Sequence, residues 1–331
     1  MARSPPSLIL AVLGLLLMTT TTTTHARSWQ LKTTHQGPSF FDGFSFFNYP
    51  DPTHGFVDYV DQHTATRLGL LDFDEDEDDD IVVIKSGAAS AKGRSSIRLQ
   101  SDTTYNQGLF LFDVEHMPAG CGTWPAIWLN GPDWPNGGEI DVVEGVNLQK
   151  RNLITLHTGQ ACEIGQSINQ HTPKPTGHVL TSKCQLNSPG QQPHQGCTVE
   201  YESSHSYGRT FNNHGGGVFA LQIDHEGIQS WFFDRSHIPD DIEDNVPILE
   251  PSRWWADDHY RPAALFPFDG IHCNATAFHD LRIIINLTFC GEWAGQPEVY
   301  HQDCPGSCVD YVKNAPLPEA YWRIRSVKVY Q

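Results

Sequence analysis

The sequence predicts an all-β fold of the sandwich or jelly-roll class, and three observations lead to that prediction. Short runs rich in β-branched and aromatic residues recur along the chain. The connections between them hold most of the 28 glycines and 22 prolines. No long amphipathic helical pattern is present. Many short strands separated by Gly- and Pro-rich turns are typical of all-β sandwiches and jelly rolls.

The predicted strands follow one another along the chain without a tandem repeat. In chain order they cover residues 109–114, 139–143, 152–157, 218–223, 231–233, 282–289 and 321–330. No Ser/Thr/Pro-rich linker divides the chain into two halves. We therefore expect residues 27–331 to form a single domain.

The first 26 residues have the pattern of a signal peptide. Arg3 supplies the positive charge, residues 8–18 are apolar, and Ala26 ends a small-residue cleavage site. The apolar stretch is shorter than the about 20 residues that a membrane span needs. No second apolar segment of that length follows. We expect a secreted, extracellular protein with no membrane partner.

Cysteine use agrees with secretion. The eight cysteines all follow the predicted signal peptide: Cys121, Cys162, Cys184, Cys197, Cys273, Cys290, Cys304 and Cys308. An even number in a secreted chain predicts disulfides, and the spacings do not match a zinc finger. Spacing alone does not determine the pairing, although Cys304 and Cys308 are close enough for a local bridge.

Charge and aromatic content restrict the partners. The chain has 39 acidic and 21 basic residues, a formal net charge of −18. Nucleic acid is therefore a poor partner, because phosphate binding needs clustered Lys and Arg. A neutral polysaccharide is compatible with this charge. The nine tryptophans suit sugar stacking and a β core equally well, so their number does not decide between the two.

Residues 72–80 contain eight acidic residues interrupted only by Phe73. Such a block repels itself, and we expect a solvated loop. A structural calcium site is the alternative, since carboxylate oxygens are suitable ligands, but the Gly-hinged spacing of an EF-hand loop is missing. We expect no other metal or cofactor.

The most informative stretch contains three acids inside a predicted strand. Glu139 and Asp141 project to one face because side chains alternate along a strand. Glu144 would face the opposite side, and a one-residue bulge at Val142 and Val143 would return it to the first face. Two Glu carboxyls on one face can approach to the about 5–5.5 Å typical of retaining glycosidases.

Crowding of three like charges raises at least one pKa, which a general acid near neutral pH requires. An exposed acidic strand face is the alternative interpretation of the three acids alone. The flanking residues favour a site, because Trp128 and Trp134 can stack on sugar rings and Gly137 and Gly138 allow a close backbone approach.

The segment Gly138-Glu-Ile-Asp-Val-Val-Glu-Gly145 resembles the E-x-D-x-x-E signature of glycoside hydrolase family 16, in its bulged, laminarinase-type form. Other segments resemble secreted fungal laminarinases over most of the mature chain: Pro52-Thr-His-Gly55, Tyr59-Val-Asp61, Cys121-Gly-Thr-Trp-Pro-Ala126, Thr155-Leu-His-Thr158, Phe289-Cys-Gly-Glu-Trp-Ala-Gly295 and Cys304-Pro-Gly-Ser-Cys-Val-Asp-Tyr311. Two departures are Glu292, where many relatives have Asp, and the acidic run, which looks like an insertion.

The resemblance implies a β-jelly-roll sandwich of two antiparallel sheets with a concave cleft. It implies an enzyme that cleaves internal β-1,3 and mixed β-1,3/1,4 bonds of glucans with retention. From the signal peptide and the eight cysteines we expect a monomer. Glu139 matches the family nucleophile and Glu144 the general acid/base, and Asp141 holds a proton or hydrogen bond to the nucleophile. Five further residues match positions that contact the substrate: Trp128, Trp134, Trp293, Arg98 and His157.

Two other functions remain open. A transglycosylase of the same fold would use the same two Glu residues, whereas a non-catalytic glucan-binding module would lose the acids. We interpret four other tryptophans as core or surface residues: Trp231, Trp254, Trp255 and Trp322. Asn274 and Asn286 begin N-glycosylation sequons. Asn274 is near a predicted loop, and access to Asn286 depends on its strand face.

Overall fold

The computed structural model describes residue 1 and residues 27–76, 79–165 and 174–331. The predicted signal peptide, apart from Met1, lies outside the described residues. The larger of two antiparallel sheets has nine strands. Seven lie in the spatial order β16 (Ile248–Leu249), β1 (Trp29–Gln36), β19 (Tyr321–Tyr330), β8 (Gly108–His116), β14 (Gly217–Ile223), β15 (Gly227–Asp234) and β17 (Ala264–Pro267), while β4 (Leu71–Asp76) pairs with β5 (Asp79–Lys85), which pairs with β19.

The second antiparallel sheet has eight strands. Their spatial order is β12 (His178–Thr181), β13 (Cys197–Glu200), β11 (Leu153–His157), β10 (Glu139–Glu144), β9 (Thr123–Asn130), β18 (Arg282–Phe289), β7 (Arg98–Ser101) and β2 (Phe44–Phe46). A short parallel pair joins β3 (Val57–Tyr59) to β6 (Arg94–Ser96). All seven predicted strands are present, and the predicted sandwich of two antiparallel sheets is confirmed.

The helices are short and occupy connections. They are α1 (Gln62–Arg67), α2 (Gly208–Asn213), α3 (Asp240–Glu243), α4 (Gly291–Ala294), α5 (Pro297–Tyr300) and α6 (Cys308–Asn314), with 3-10 turns at Gly37–Ser39, Pro251–Ala256, Asp258–Tyr260 and Ala275–Ala277. Asp61 and Ser307 cap α1 and α6 by accepting hydrogen bonds from main-chain N–H groups in the first turn. Among the described residues, no helix has the length and apolar character to cross a membrane.

The main core lies between the two sheets and follows from strand alternation. Ile154 and Leu156 of β11 are fully buried, and they belong to the same apolar cluster as Phe110, Phe112 and Phe219 of the nine-stranded sheet. The intervening Thr155 and the terminal His157 of β11 point away from this core. Alternation therefore leaves the other side of the eight-stranded sheet, called here the open face, to polar and aromatic side chains.

The outer face of the nine-stranded sheet is covered instead. Trp231 of β15 has no exposed surface, and its ring meets that of Trp254 edge to face at 5.5 Å. These two tryptophans share an apolar cluster with Trp29 and Leu249. Trp322 is buried in the main core. Trp255 is partly buried against the same cluster as Trp231 and Trp254. The interpretation of Trp231, Trp254, Trp255 and Trp322 as core or surface residues is therefore correct.

The acidic run is not a loop, so that prediction is wrong. Its described residues lie in β4 and β5, which pair from Leu71 opposite Ile84 to Asp76 opposite Asp79. Basic residues on neighbouring strands offset the charge: Lys85 Nζ lies 2.8 Å from Asp72 Oδ2, and Arg323 pairs with Asp74. These contacts and the β5–β19 pairing allow an acidic segment to extend the sheet. The calcium alternative stays a prediction.

All eight cysteines form disulfides, as predicted from their number. The bridges are Cys121–Cys304, Cys162–Cys273, Cys184–Cys197 and Cys290–Cys308. The suggested local bridge between Cys304 and Cys308 is therefore wrong. Cys304 and Cys308 are close in sequence, but they pair with different cysteines. Cys304 bonds to Cys121, just before β9, and Cys308 bonds to Cys290, just after β18. Together they fix the segment that carries α4 to α6.

Candidate active site

Strand β10 contains the predicted bulge. Asp141 lies opposite Trp128 of β9 and Thr155 of β11, and the register then shifts so that Glu144 lies opposite Ala126 and Leu153. The two consecutive valines at the shift, Val142 and Val143, are both fully buried in the core. The extra residue returns Glu144 to the open face.

The entry to β10 depends on glycine. Gly138 has a φ of +78°, and a Cβ there would lie 2.4 Å from the carbonyl oxygen of Ala277. A side chain would meet both steric and conformational strain. Gly138 therefore allows the chain to turn tightly into the strand that begins with Glu139.

Three carboxyls and one imidazole converge on the open face. His157 Nε2 lies 3.2 Å from Asp141 Oδ2 and 3.7 Å from Glu139 Oε1. The Asp141 side chain is 4% exposed and that of Glu139 15%. Glu139 thus keeps some access to the cleft, whereas Asp141 is enclosed beneath it. Asp141 is suited to tuning its neighbours rather than reaching a substrate.

The environment favours the protonated forms of the acids. Burial raises the pKa of Asp141 to about 8, and burial together with the charge of Asp141 raises the pKa values of Glu139 and Glu144 to about 8. His157 lowers the pKa of Glu139 by attraction. A cluster of this kind holds at least one proton at neutral pH while another member is ionised, which is the condition for an acid and a nucleophile to act together.

Trp124 is a site residue that the sequence reasoning missed. Its Nε1–H donates a hydrogen bond of 3.0 Å to Glu144 Oε1, which lowers the pKa of that carboxyl against the effect of burial. The Trp124 ring also meets that of Trp293 edge to face at 5.5 Å. Its spacing from Trp128 along β9 could have identified it, because residues four apart on a strand share a face. Trp293, from α4, therefore lies beside the acid/base candidate.

The predicted residues Trp128 and Arg98 lie on the β9, β18 and β7 side of the acids, the same flank as Trp124. Trp128 Nε1–H donates to Asn286 Oδ1 at 2.7 Å, and Asn286 donates to the Tyr59 hydroxyl at 3.1 Å. The Arg98 guanidinium lies 4.9 Å from the Trp128 ring centre and 4.5 Å from that of Phe47. These aromatic and hydrogen-bonding groups hold one another in fixed positions, with Arg98 and Asn286 buried and Trp128 and Phe47 partly buried. The sequence reasoning had not assigned Phe47 or Asn286 to the site.

Trp134 lies apart from this packed group, on the loop between β9 and β10. It is 42% exposed, and its ring stacks near that of His194 at 6.2 Å. A hydrogen bond from its side chain lowers the pKa of Glu139. Trp134 thus combines an accessible ring with proximity to the nucleophile candidate.

Two further expectations concern residues at the rim. Glu292 is half-exposed, and its carboxylate lies 2.8 Å from His54 Nδ1. Asn286 is 7% exposed with both side-chain polar atoms bonded, so the folded cleft leaves no room for a glycan there. Asn274 is exposed and caps a 3-10 turn by accepting from the Thr276 N–H.

One group in the described part of the chain has the spacing of metal ligands. Ligand atoms of Glu139, Asp141 and His157 all lie within 4.8 Å of one another. The same three side chains form the proton-sharing cluster described above. The carboxyl chemistry of this cluster accounts for the arrangement.

Comparison with known proteins gives a consistent family. The model of the "XgeA-like, catalytic GH16 domain" matches residues 44–330. A probable glycosidase of Schizosaccharomyces pombe is 45% identical over 92% of this chain and 70% of its own length. An endo-1,3(4)-beta-glucanase of Arthroderma benhamiae is 39% identical over 96% of this chain and 68% of its own length.

Solved structures show the same fold. GH16 laminarinase 16A from Phanerochaete chrysosporium, solved with 6-O-glucosyl-laminaritriose in donor and acceptor sites, has a TM-score of 0.83 and 40% identity. An elongating family 16 β-1,3-glucosyltransferase has a TM-score of 0.80 and 35% identity. Each comparison covers 92% of this chain and 100% of the other.

Proposed function

Because the chain belongs to glycoside hydrolase family 16, we propose that it is a retaining endo-β-1,3(4)-glucanase. The observation that carries the proposal is the bulge in β10, which turns Glu144 to the face that also bears Glu139. The names of the Arthroderma glucanase and the Phanerochaete laminarinase support glucan as the substrate class. The proposal covers β-1,3 and mixed β-1,3/1,4 bonds inside the chain, as in laminarin and lichenan.

In the first step Glu139 attacks the anomeric carbon as its carboxylate, and Glu144 gives its proton to the leaving glycosidic oxygen. The Trp124 indole occupies Glu144 Oε1, so the proton to be transferred sits on Oε2. Attack forms a covalent glycosyl–enzyme bond as the glycosidic bond breaks. After it has given up its proton, Glu144 is a carboxylate that can act as a base beside the intermediate.

In the second step the Glu144 carboxylate takes a proton from water, and the water oxygen attacks the same carbon. Glu139 leaves as carboxylate, and the product keeps the β configuration. Asp141 lies beneath both residues and raises their pKa values through its charge. His157, which contacts Asp141 and Glu139, opposes that effect at Glu139.

Substrate sugars would stack on the accessible tryptophans on either side of the acids. Trp134 and Trp128 are candidates on the Glu139 side, and Trp124 with Trp293 on the Glu144 side. Arg98 is 8% exposed and packed between two rings, which suits a fixed hydrogen-bond donor to a sugar hydroxyl.

The test is reducing-sugar release and product profile on laminarin and lichenan, with product stereochemistry followed by NMR at early times. Glu139→Gln is the matched inactive control, because it keeps the shape and removes the carboxylate. First formation of β-anomeric oligosaccharides supports the proposal. Initial α-anomers, or equal turnover by Glu139→Gln, would refute it.

A glucan transglycosylase is the second candidate, favoured by the solved β-1,3-glucosyltransferase of 35% identity. It differs in the acceptor, since a sugar hydroxyl replaces water in the second step. Products longer than the starting oligosaccharide would identify it. A non-catalytic glucan-binding module is disfavoured by the three carboxyls, which cost stability where they are buried.

We also propose that residues 1–26 are removed as a signal peptide and that residues 27–331 form one catalytic domain, secreted as a monomer. The pairing of β1 with β19 supports a single unit, as does the Cys121–Cys304 disulfide between distant parts of the chain. N-terminal sequencing of the secreted protein and its mass by light scattering test these points. A first residue other than Arg27, or a dimer mass, would contradict them.

A further inference from the structure

Asn152 lies beside the bulge of β10, immediately before β11, and the sequence reasoning assigned it no role. It is fully buried. Its side-chain Nδ2–H donates to the Val142 carbonyl at 2.7 Å, and its Oδ1 accepts from the Glu144 N–H at 3.0 Å. One side-chain amide therefore bridges the two main-chain groups on either side of Val143.

The bulge creates the need for this bridge. Pairing with β11 passes from Asp141 opposite Thr155 to Glu144 opposite Leu153, so the main chain between them is out of step with the regular ladder. A buried N–H or C=O without a partner costs roughly 1–3 kcal/mol. A neutral carboxamide supplies one donor and one acceptor and can satisfy both groups at once, whereas an ionised carboxylate only accepts.

The main chain of Asn152 is itself fixed by hydrogen bonds. Its main-chain N–H donates to Ser206 Oγ at 2.9 Å, and its carbonyl accepts from the Tyr201 N–H at 2.9 Å. The Tyr207 hydroxyl donates to the Gly145 carbonyl at 2.6 Å, one residue beyond Glu144. The segment around residues 201–207 thus anchors the main chain of Asn152 and the end of β10.

We infer that Asn152 is a positioning residue for Glu144: its amide holds the extra residue that keeps the acid/base carboxyl on the open face. A regular strand would turn Glu144 by one position toward the core, because a one-residue slip reverses every side chain. The inference rests on the proposed retaining mechanism. It predicts that losing the amide impairs the steps that need Glu144 more than the step that needs Glu139.

Asn152→Ala tests this with two substrates. Turnover of laminarin, which needs leaving-group protonation, should fall by about 10- to 100-fold, part of the range for loss of general acid catalysis. Formation of the glycosyl-enzyme from a dinitrophenyl β-laminaribioside, whose leaving group needs little protonation, should fall by less than about threefold. Added azide should speed its release and give the β-glycosyl azide.

Ser206→Ala is the matched control, because it removes a buried hydrogen bond to Asn152 and leaves the side-chain amide in place. It should lose stability without any azide effect. If Asn152→Ala slowed both substrates equally and azide changed nothing, Asn152 would be a structural residue only. Wild-type enzyme that failed to turn over laminarin, or that inverted, would instead refute the proposed function.

Asn152→Asp keeps the inference testable if the alanine variant does not fold. A protonated carboxyl can both donate to Val142 and accept from Glu144, whereas the ionised form cannot donate. The laminarin activity of Asn152→Asp should therefore approach that of wild type at pH 5. As the pH rises, the variant should lose activity at a lower pH than the wild type does. A pH profile of unchanged shape, at wild-type or reduced activity, would overturn the inference.

Discussion

The two sheets of this sandwich each have a face turned away from the common core, and the chain treats these faces in opposite ways. The outer face of the nine-stranded sheet is covered by its own apolar cluster, in which Trp231 has no exposed surface. The open face of the eight-stranded sheet carries Glu139, Asp141 and Glu144 instead. Tryptophans on this face, such as Trp128, are only partly buried and have their N–H groups bonded.

Burial has different consequences on the two faces. On the covered face, burial removes apolar surface from water and stabilises the fold. On the open face, burial surrounds carboxyls and raises their pKa values, which disfavours their charged forms. The same strand alternation produces both faces, so the distinction lies in the residues placed there. The proposed catalytic residues therefore lie on the open face, where burying carboxyls lowers the stability of the fold.

The largest expected effect comes from removing the two outer acids of the open face. Glu139→Ala should lower kcat on laminarin by more than about 10⁴-fold, because no covalent intermediate can form. Azide should then attack from the vacated side and give the inverted α-glycosyl azide. Glu144→Ala should cost about 10²–10⁴-fold, and azide should give the β-azide through the covalent species.

Aryl laminaribiosides with a good leaving group make both products measurable by NMR. The covalent species should accumulate in Glu144→Ala alone and be visible by intact mass spectrometry. If Glu139→Ala gave the β-azide and Glu144→Ala the α-azide, the assigned roles of nucleophile and acid would be reversed.

The next largest effect is a difference between substituting a tryptophan of the covered face and one of the open face. Trp231→Ala should destabilise the protein by about 3–5 kcal/mol, the range for a fully buried large aromatic residue, and leave KM unchanged. Trp128→Ala should raise KM for laminarin by about tenfold, close to 1.4 kcal/mol of binding, with a smaller loss of stability. Urea unfolding and Michaelis–Menten kinetics on both variants test the pair. Equal effects of the two substitutions would remove the functional distinction between the faces.

Much of this contrast was predictable from the sequence, because it depends on local pattern. The spacing of Glu139, Asp141 and Glu144 within a β-branched run required a bulge if all three were to share a face. The position of Trp128 beside that run indicated the same face. Alternation along the other predicted strands gave the sandwich.

What was missed depends on long-range register. Asn152 bridges β10 only because the chain returns beside it, and Trp124 reaches Glu144 from the neighbouring strand β9. The pairing of Cys304 with Cys121 likewise follows from the arrangement of loops around the sheet ends. The sequence predicts a loop at the acidic run because Arg323, one of its basic partners, lies far away in sequence.

A smaller effect should follow when the enclosed acid is neutralised. The charge of Asp141 raises the pKa values of Glu139 and Glu144, so Asp141→Asn should lower both. The alkaline limb of kcat/KM on laminarin, set by loss of the Glu144 proton, should therefore move to lower pH. An unchanged limb would mean that Asp141 does not tune its neighbour.

Stability should respond with a defined sign. A carboxyl whose pKa is raised from about 4 in the unfolded chain to about 8 in the folded protein makes the fold less stable as pH rises through that interval, because the folded state then holds the extra proton. Asp141→Asn should raise Tm at pH 8 by at least about 2–4 °C, the shift for about 1 kcal/mol. At pH 4 the two proteins should differ little. A larger gain at pH 4 than at pH 8 would contradict this linkage.

The smallest effect should come from the acidic strand pair, which belongs to neither contrasting face. Strands β4 and β5 attach to the nine-stranded sheet through β19, and the ion pairs of Asp72 with Lys85 and Asp74 with Arg323 lie outside residues 75–79. Deleting residues 75–79 should therefore shorten the pair while leaving those contacts, with kcat within about threefold, a barrier change under about 0.7 kcal/mol. Replacing the same five residues by Ser and Gly separates loss of charge from loss of length. A hundredfold fall in kcat in both variants would instead assign the run a part in the active enzyme.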